Sequence, residues 1–308
     1  LHLLDPGSGE ARRVEVVIPG DRPQLRDQAV DASENIAERA ISATGKRALL
    51  EARGDIWTVP AENGSPINLT RTDGVAERSP AWSPDGRWVS YFSDASGTGY
   101  ELWVTQSDGL GEPRALTEAG LGFLRRPSWS PDSRKISFWD QTSTLRLYSF
   151  DDDSLVEVAK DEGLGTPAVS WSPDSRWMAF AAGVDGRQPN AIHLYDTGAG
   201  ELHRVTAGMF ADSWPTFDRD GDFLYFASLR EVSDPIYEDF GTTWVYAMTD
   251  RLYAVPLRAD VASPLLPEID HEEWDGDDET SGEGPDDGKG KKKKKAKKED
   301  EESDEGEE

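Results

Sequence analysis

The sequence predicts an all-β fold, a β-propeller of four-stranded blades, and three observations carry that expectation. First, one phrase recurs: "AWSPDGRWVSYFSD" from Ala81, "SWSPDSRKISFWD" from Ser128 and "SWSPDSRWMAFAA" from Ser170. A weaker copy, "TFDRDGDFLYFAS", begins at Thr216, and an eroded one, "AISATGKRALLEA", at Ala40. Second, the copies aligned on Ile41, Trp82, Trp129, Trp171 and Phe217 stand 41, 47, 42 and 46 residues apart. A period in the forties marks a propeller rather than a helical solenoid. Third, nothing between the copies reads as a helix, apart from a weak pattern in "RDQAVDASENIAER".

The elements follow in chain order. "LHLLDPGSGEARRVEVVI" at the start is the same strand–turn–strand phrase as "IHLYDTGAGELHRVT" from Ile192, so residues 1–20 are expected to form a partial blade. Since Leu1 is not Met and stands inside that pattern, the sequence reads as an internal fragment. Five fuller blades are expected over about 36–258. In the best copy, "PAWS" leads into the turn Ser83-Pro84-Asp85-Gly86, and "RWVSYFSD", "YELWVTQ" and "RALT" follow as strands separated by "ASGTG" and "SDGLGEP". Proline presets φ at the second turn position, Asp tolerates the third, and Gly or Ser accepts the fourth. The turn sets the register of the two innermost strands, and Trp82, Val89 and Tyr91 then point at neighbouring blades. Each such ring contributes roughly 2–3 kcal/mol on burial. The propeller would have six to seven blades, with its ring incomplete in this fragment.

The repeat is therefore a building block, not a catalytic device. A nucleophilic role for Ser83, Ser130 or Ser172 needs an adjacent base, and the histidines, His2, His193, His203 and His271, stand in none of the turns. His193 and His203 alternate within strands without companion ligands, as ordinary strand residues do. "ATGKRA" around Lys46 lacks the first glycine and the Ser/Thr of a phosphate loop. "DRDGD" at Asp218 to Asp222 lacks the calcium-loop order and aligns with the turns. "DDDS" at Asp151 reads as a solvated hairpin tip. Arg125 and Arg126 either are surface residues or line a propeller mouth and hold a peptide carboxylate. No catalytic, cofactor-binding or metal-binding residue is assigned, and no cofactor is expected.

Two segments depart from the repeat. After "FLYFASLR" an insertion of about fifteen residues carries Tyr237, Phe240, Trp244 and Tyr246, and is expected to be a structured loop covering one face or contacting a neighbouring domain. Residues 268–308 hold 19 acidic side chains and 8 lysines, net −11 of the chain's −27. The run Lys291 to Lys295 lies between acidic blocks, a composition expected to give a disordered linker or tail. So acidic a chain repels nucleic-acid phosphate and anionic lipid, so neither nucleic acid nor membrane is expected as a partner. The absence of cysteine removes disulfides, thiolate catalysis and Cys-zinc sites together.

The phrases "LLEARGDIWTVPAENGSPINLTRTDGVAERSPAWSPDGRWVSYFSD", "GMFADSWPTFDRDGDFLYFASLR" and "DRLYAVPLRADVASPLLPE" closely resemble the propeller region of tricorn-type proteases. The likeness extends over essentially all of residues 1–267. Ala52-Arg53-Gly54, Leu257-Arg258-Ala259-Asp260 with Pro264, and Asp234-Pro235-Ile236-Tyr237 carry its specificity. The Trp-Ser-Pro-Asp phrases are shared with TolB-type and prolyl-oligopeptidase propellers, which remain the alternatives. The resemblance implies a large cytoplasmic serine peptidase acting on oligopeptides, homo-oligomeric as a whole. Two propellers would precede a PDZ-like module and catalytic domains, with this fragment most of the second, seven-bladed one. The propeller would guide short peptides to catalytic residues lying downstream of the fragment.

Overall fold

The computed structural model describes residues 2–17, 20, 31–183, 190–231, 235–239, 243–246 and 249–263. The chain divides into units Leu1–Pro264 and Leu265–Glu308. Everything described belongs to the first; the lysine run Lys291 to Lys295, the expected tail 268–308, His271 and Phe240 lie outside the described residues.

Two strands, β1 (His2–Leu4) and β2 (Ala11–Arg13), pair antiparallel where the partial blade was expected. Five antiparallel sheets follow in sequence. The first blade is β3 (Ile36–Ile41), β4 (Arg47–Ala52), β5 (Asp55–Pro60) and β6 (Ile67–Asn68). The second is β7 (Glu77–Trp82), β8 (Trp88–Ser93), β9 (Glu101–Gln106) and β10 (Arg114–Ala115). The third is β11 (Arg125–Trp129), β12 (Lys135–Trp139), β13 (Thr144–Ser149) and β14 (Ser154–Lys160). The fourth is β15 (Ser170–Trp171), β16 (Trp177–Ala182), β17 (Ala191–Asp196) and β18 (Glu201–Arg204). The fifth joins β19 (Asp212–Phe217), β20 (Phe223–Leu229) and β23 (Asp250–Pro256). Within its insertion, β21 (Pro235–Asp239) and β22 (Thr243–Tyr246) form a separate hairpin. This is the all-β, open-sheet architecture of a propeller.

Period-two alternation explains how the blades join. On β8, Val89 and Tyr91 pack with Leu49 and Ile56 of the first blade, whereas Phe92 packs with Ile136 and Phe138 of the third. On β12 the next residue, Trp139, turns the other way, to Met178 and Phe180 of the fourth. On β16, Ala179 and Ala181 face Leu224 and Phe226 of the fifth. One apolar cluster therefore fills each of the four interfaces, and burial of each large side chain contributes roughly 1.5–3 kcal/mol.

The Ser-Pro-Asp turns fix these strands. The hydroxyls of Ser83, Ser130 and Ser172 donate to Asp85, Asp132 and Asp174. The same oxygens accept the N–H of Trp88 at 2.9 Å, Lys135 at 2.9 Å and Trp177 at 2.8 Å. The fourth turn residue is left-handed, with φ 75° at Gly86 and 61° at Ser133 and Ser175. Both serines also reach the preceding blade: Asp85 N donates to Ser133 Oγ at 3.0 Å and Asp132 N to Ser175 Oγ at 2.9 Å.

The weak helical pattern is corrected here. Within its described part, Ser33–Asn35 makes a 3-10 turn and Ile36 to Arg39 belong to β3, while residues 26–30 of the pattern lie outside the described residues. Pairing with β4 outweighs local propensity, as tertiary context commonly does in sheets.

Candidate functional site

Each blade begins with an edge strand of its sheet, and in all but the fourth that strand is bulged. Register shifts fall between Ile36 and Arg39 in β3, Arg78 and Ala81 in β7, and Arg125 and Ser128 in β11. A bulge re-aims the side chain it carries. Glu38, Ser79, Arg126 and Ala168 each stand three residues before the landmarks Ile41, Trp82, Trp129 and Trp171. All four line one cavity of about 860 Å³, walled by segments of four successive blades. Ser79 and Arg126, each followed by proline, hold left-handed φ values of 51° and 53°.

The charges on this lining are distributed by blade. Arg78, Arg125 and Arg126 come from the second and third blades, Glu38 and Glu51 from the first. The ring of Phe123 lies beneath two of the guanidiniums, 5.8 Å from Arg78 and 5.6 Å from Arg125. Tyr100 braces that ring edge-on, with centroids 5.0 Å apart. Among the described residues, none of the three arginines forms an ion pair with a carboxylate, although the chain has 60 acidic side chains. Two guanidiniums held by an aromatic ring, with a third beside them and none in an ion pair, form a ready anion site.

Glu51 is set apart from the other acids. It occupies the β4 position that Phe92 and Trp139 occupy on β8 and β12, and it is buried. Its Oε2 accepts the N–H of Ser79 at 2.9 Å, tying the first blade to the bulge of the second. Burial pushes its carboxyl above the usual range, and Glu38 adds to this; the Ser79 bond and the Arg78 charge oppose them.

The structure brings Arg125 and Arg126 into this cavity and leaves the other sequence candidates in structural roles. Ser83, Ser130 and Ser172 are committed to their turns. Asp218 accepts the N–H groups of Asp222 and Phe223 within its turn, and Asp222 pairs with Arg258 at 2.9 Å. Asp151 pairs with Arg134 at the hairpin tip. His193 is buried and stacked on Phe180, His203 lies 3.7 Å from Glu201, and His2 is exposed on β1. Lys46 is exposed in its turn. No group of three or more metal-ligating side chains occurs among the described residues. Sequence reasoning missed Arg78, Glu38, Glu51 and Phe123. A signal was present for Arg78: "RSPAW" and "RRPSW" place an arginine four residues before each landmark.

The family described as the Tricorn protease second beta propeller domain matches residues 36–304. The chain belongs to that family. A tricorn protease homolog of Saccharolobus solfataricus is 25% identical over 235 residues, covering 76% of this chain and 21% of that protein. A tricorn-like protease C-terminal subunit of Sulfurisphaera tokodaii is likewise 25% identical over 235 residues, covering 76% of this chain and 26% of its own length. The crystal structure of the tricorn protease superposes with a TM-score of 0.66 at 16% identity, over 85% of this chain and 25% of that one, a likeness of fold. The tricorn-type propeller thus spans about a quarter of the length of the relatives it matches.

Proposed function

We propose that this tricorn-type propeller is a non-catalytic peptide-handling domain, whose cavity receives short peptides and guides them to a catalytic core elsewhere in a longer peptidase. The observation carrying this reading is the cluster of Arg78, Arg125 and Arg126, none in an ion pair among the described residues, on the same lining as Glu38 and Glu51. A short peptide with free ends is a dipole, and such a lining offers guanidiniums to its carboxylate and carboxylates to its ammonium. The volume of about 860 Å³ falls within the usual span of ligand sites. The two propeller-specific partners implied are therefore oligopeptides and the catalytic domains that consume them.

The test is fluorescence anisotropy with labelled pentapeptides. A free carboxylate should bind about tenfold or more tightly than its amide, the scale of one charge-assisted hydrogen bond. Arg125→Gln with Arg126→Gln should abolish the difference. Equal affinity for acid and amide in the native chain would overturn the reading. So would inhibitor-sensitive cleavage of a fluorogenic peptide by the purified chain, since the reading makes it non-catalytic.

A further inference from the structure

The position three residues before each blade landmark lines the cavity in the first four blades, as Glu38, Ser79, Arg126 and Ala168. The fifth blade contributes none of the described lining residues and has Trp214 at the equivalent position, three before Phe217. Its local geometry repeats that of the others. The strand β19 is an edge strand of its sheet, and its register shifts between Ser213 and Thr216, as β7 and β11 shift at the corresponding residues. Trp214 has φ 51°, against 51° for Ser79 and 53° for Arg126, and Pro215 follows it as Pro80 and Pro127 follow them.

That conformation is unfavourable twice over. A bulky side chain rarely adopts positive φ, and a residue before proline is ordinarily extended. Strain of this kind persists where the fold over-determines it and clusters where ligands are held. The side chain is also 73% exposed, whereas Trp82, Trp129 and Trp171 at the blade landmarks are buried or half-buried. Elsewhere in the repeat tryptophan serves as a wedge between blades; here the bulge turns it away from the packing.

We infer that Trp214 is the apolar selector of the peptide cavity, an indole face that receives a hydrophobic side chain of the peptide whose carboxylate the arginines hold. This rests on the peptide-handling reading above and adds a substrate preference to it: peptides carrying an aromatic or long aliphatic residue. The five equivalent positions then divide the labour, with charge at Glu38 and Arg126, small side chains at Ser79 and Ala168, and a flat apolar surface at Trp214.

The experiment uses the whole chain and a series of labelled pentapeptides with free carboxylates, all glycine or with one Phe at successive positions, read by fluorescence anisotropy. At one position Phe should improve affinity about tenfold, the scale expected for an aromatic pair plus its burial. Trp214→Ala should remove that gain while leaving the glycine peptide and the Tm unchanged, and Trp214→Phe should keep most of it. A structural ring would behave oppositely, lowering Tm and leaving peptide preference alone. As a measurement independent of variants, the bound Phe peptide should shield Trp214 from oxidation by N-bromosuccinimide, followed by peptide mapping. Persistence of the Phe gain in Trp214→Ala, or absence of protection, overturns the selector and leaves carboxylate recognition standing. Loss of carboxylate dependence in the native chain instead removes the peptide reading, and the selector with it.

Discussion

The second, third and fourth blades are joined to one another differently from the way the first and fifth are joined to them, although one repeat builds all five. At the two inner interfaces a left-handed serine, Ser133 or Ser175, accepts the N–H of the preceding turn's aspartate. At the two outer interfaces the same position holds Gly86 or Gly221, with φ 75° and 76°. Glycine adopts that conformation freely, whereas an L-residue loses about 1–2 kcal/mol. A hydrogen bond to the neighbour contributes about as much, so the serine is explained by the interface and not by its own turn. The fifth residue of the second strand shows the same division: Phe92 and Trp139 fill the inner interfaces, Glu51 and Ala181 the outer ones. The constant part of the repeat makes a blade, and a few variable positions decide how firmly blades adhere. In a quasi-linear array of this kind, such nearest-neighbour differences translate into regional stability.

The comparison is broken most severely at Trp139. Its ring is fully buried, lies edge-on to Phe180 at 6.2 Å, and donates from Nε1 to Pro167 O at 2.9 Å. Trp139→Ala gives the third blade the residue that the fourth has at Ala181, and should cost about 3–5 kcal/mol in urea unfolding. A cost below about 1 kcal/mol would show that the inner interface owes nothing special to this wedge. The serine staple is the finer cut. Ser133→Ala loses the bond and keeps the strained φ, whereas Ser133→Gly loses the bond and relieves the strain. The alanine variant should lose about 1–2 kcal/mol and the glycine variant less. Equal losses would mean that strain is not part of the balance.

Those same positions show how much of the molecule was legible in its sequence. Period two and the turn residues were enough to direct Val89 and Tyr91 to a neighbouring blade, because both signals are local and repeat. The strand at Ile36 was only partly legible: the first fuller blade was expected from about 36, but Ala37, Glu38 and Arg39 have helical propensity, and the pairing of Ile36 and Arg39 with β4 draws the segment out. The cavity was half legible. Arg125 and Arg126 stood out as a pair, but Arg78 lies 47 residues before Arg125, and only the closing of blade on blade over the ring of Phe123 brings the two together. The left-handed bulges were hidden for a related reason: a residue before proline reads as extended, and nothing local announces that Ser79, Arg126 and Trp214 depart from this.

The smallest effect sharpens the comparison through protons. At the first outer interface, burial pushes Glu51 and Glu77 above their ordinary value of 4.5. Glu77 accepts from Thr72 on one oxygen, while Oε2 is buried without a partner among the described residues. In the inner blades the shifts run the other way. Burial would raise Asp140, but bonds from Thr142, Arg146 and Thr144 outweigh it, and Arg176 holds Asp196 down to about 2. A raised carboxyl contributes stability that is fully present below 4.5 and is lost as pH rises through its folded value; a lowered one contributes above 3.8 and is lost as pH falls through its folded value. Acidification from pH 7 to 5 should therefore strengthen the contact of β4 with β7 and leave β13 and β17 unchanged. Hydrogen exchange corrected for intrinsic rates would show slower opening in the first pair alone. Glu77→Gln should supply much of that gain already at pH 7, about 1 kcal/mol, by removing a desolvated charge. If the variant is destabilised at pH 7, or if all five blades respond alike to acid, the outer interface is not the one that neutral pH weakens.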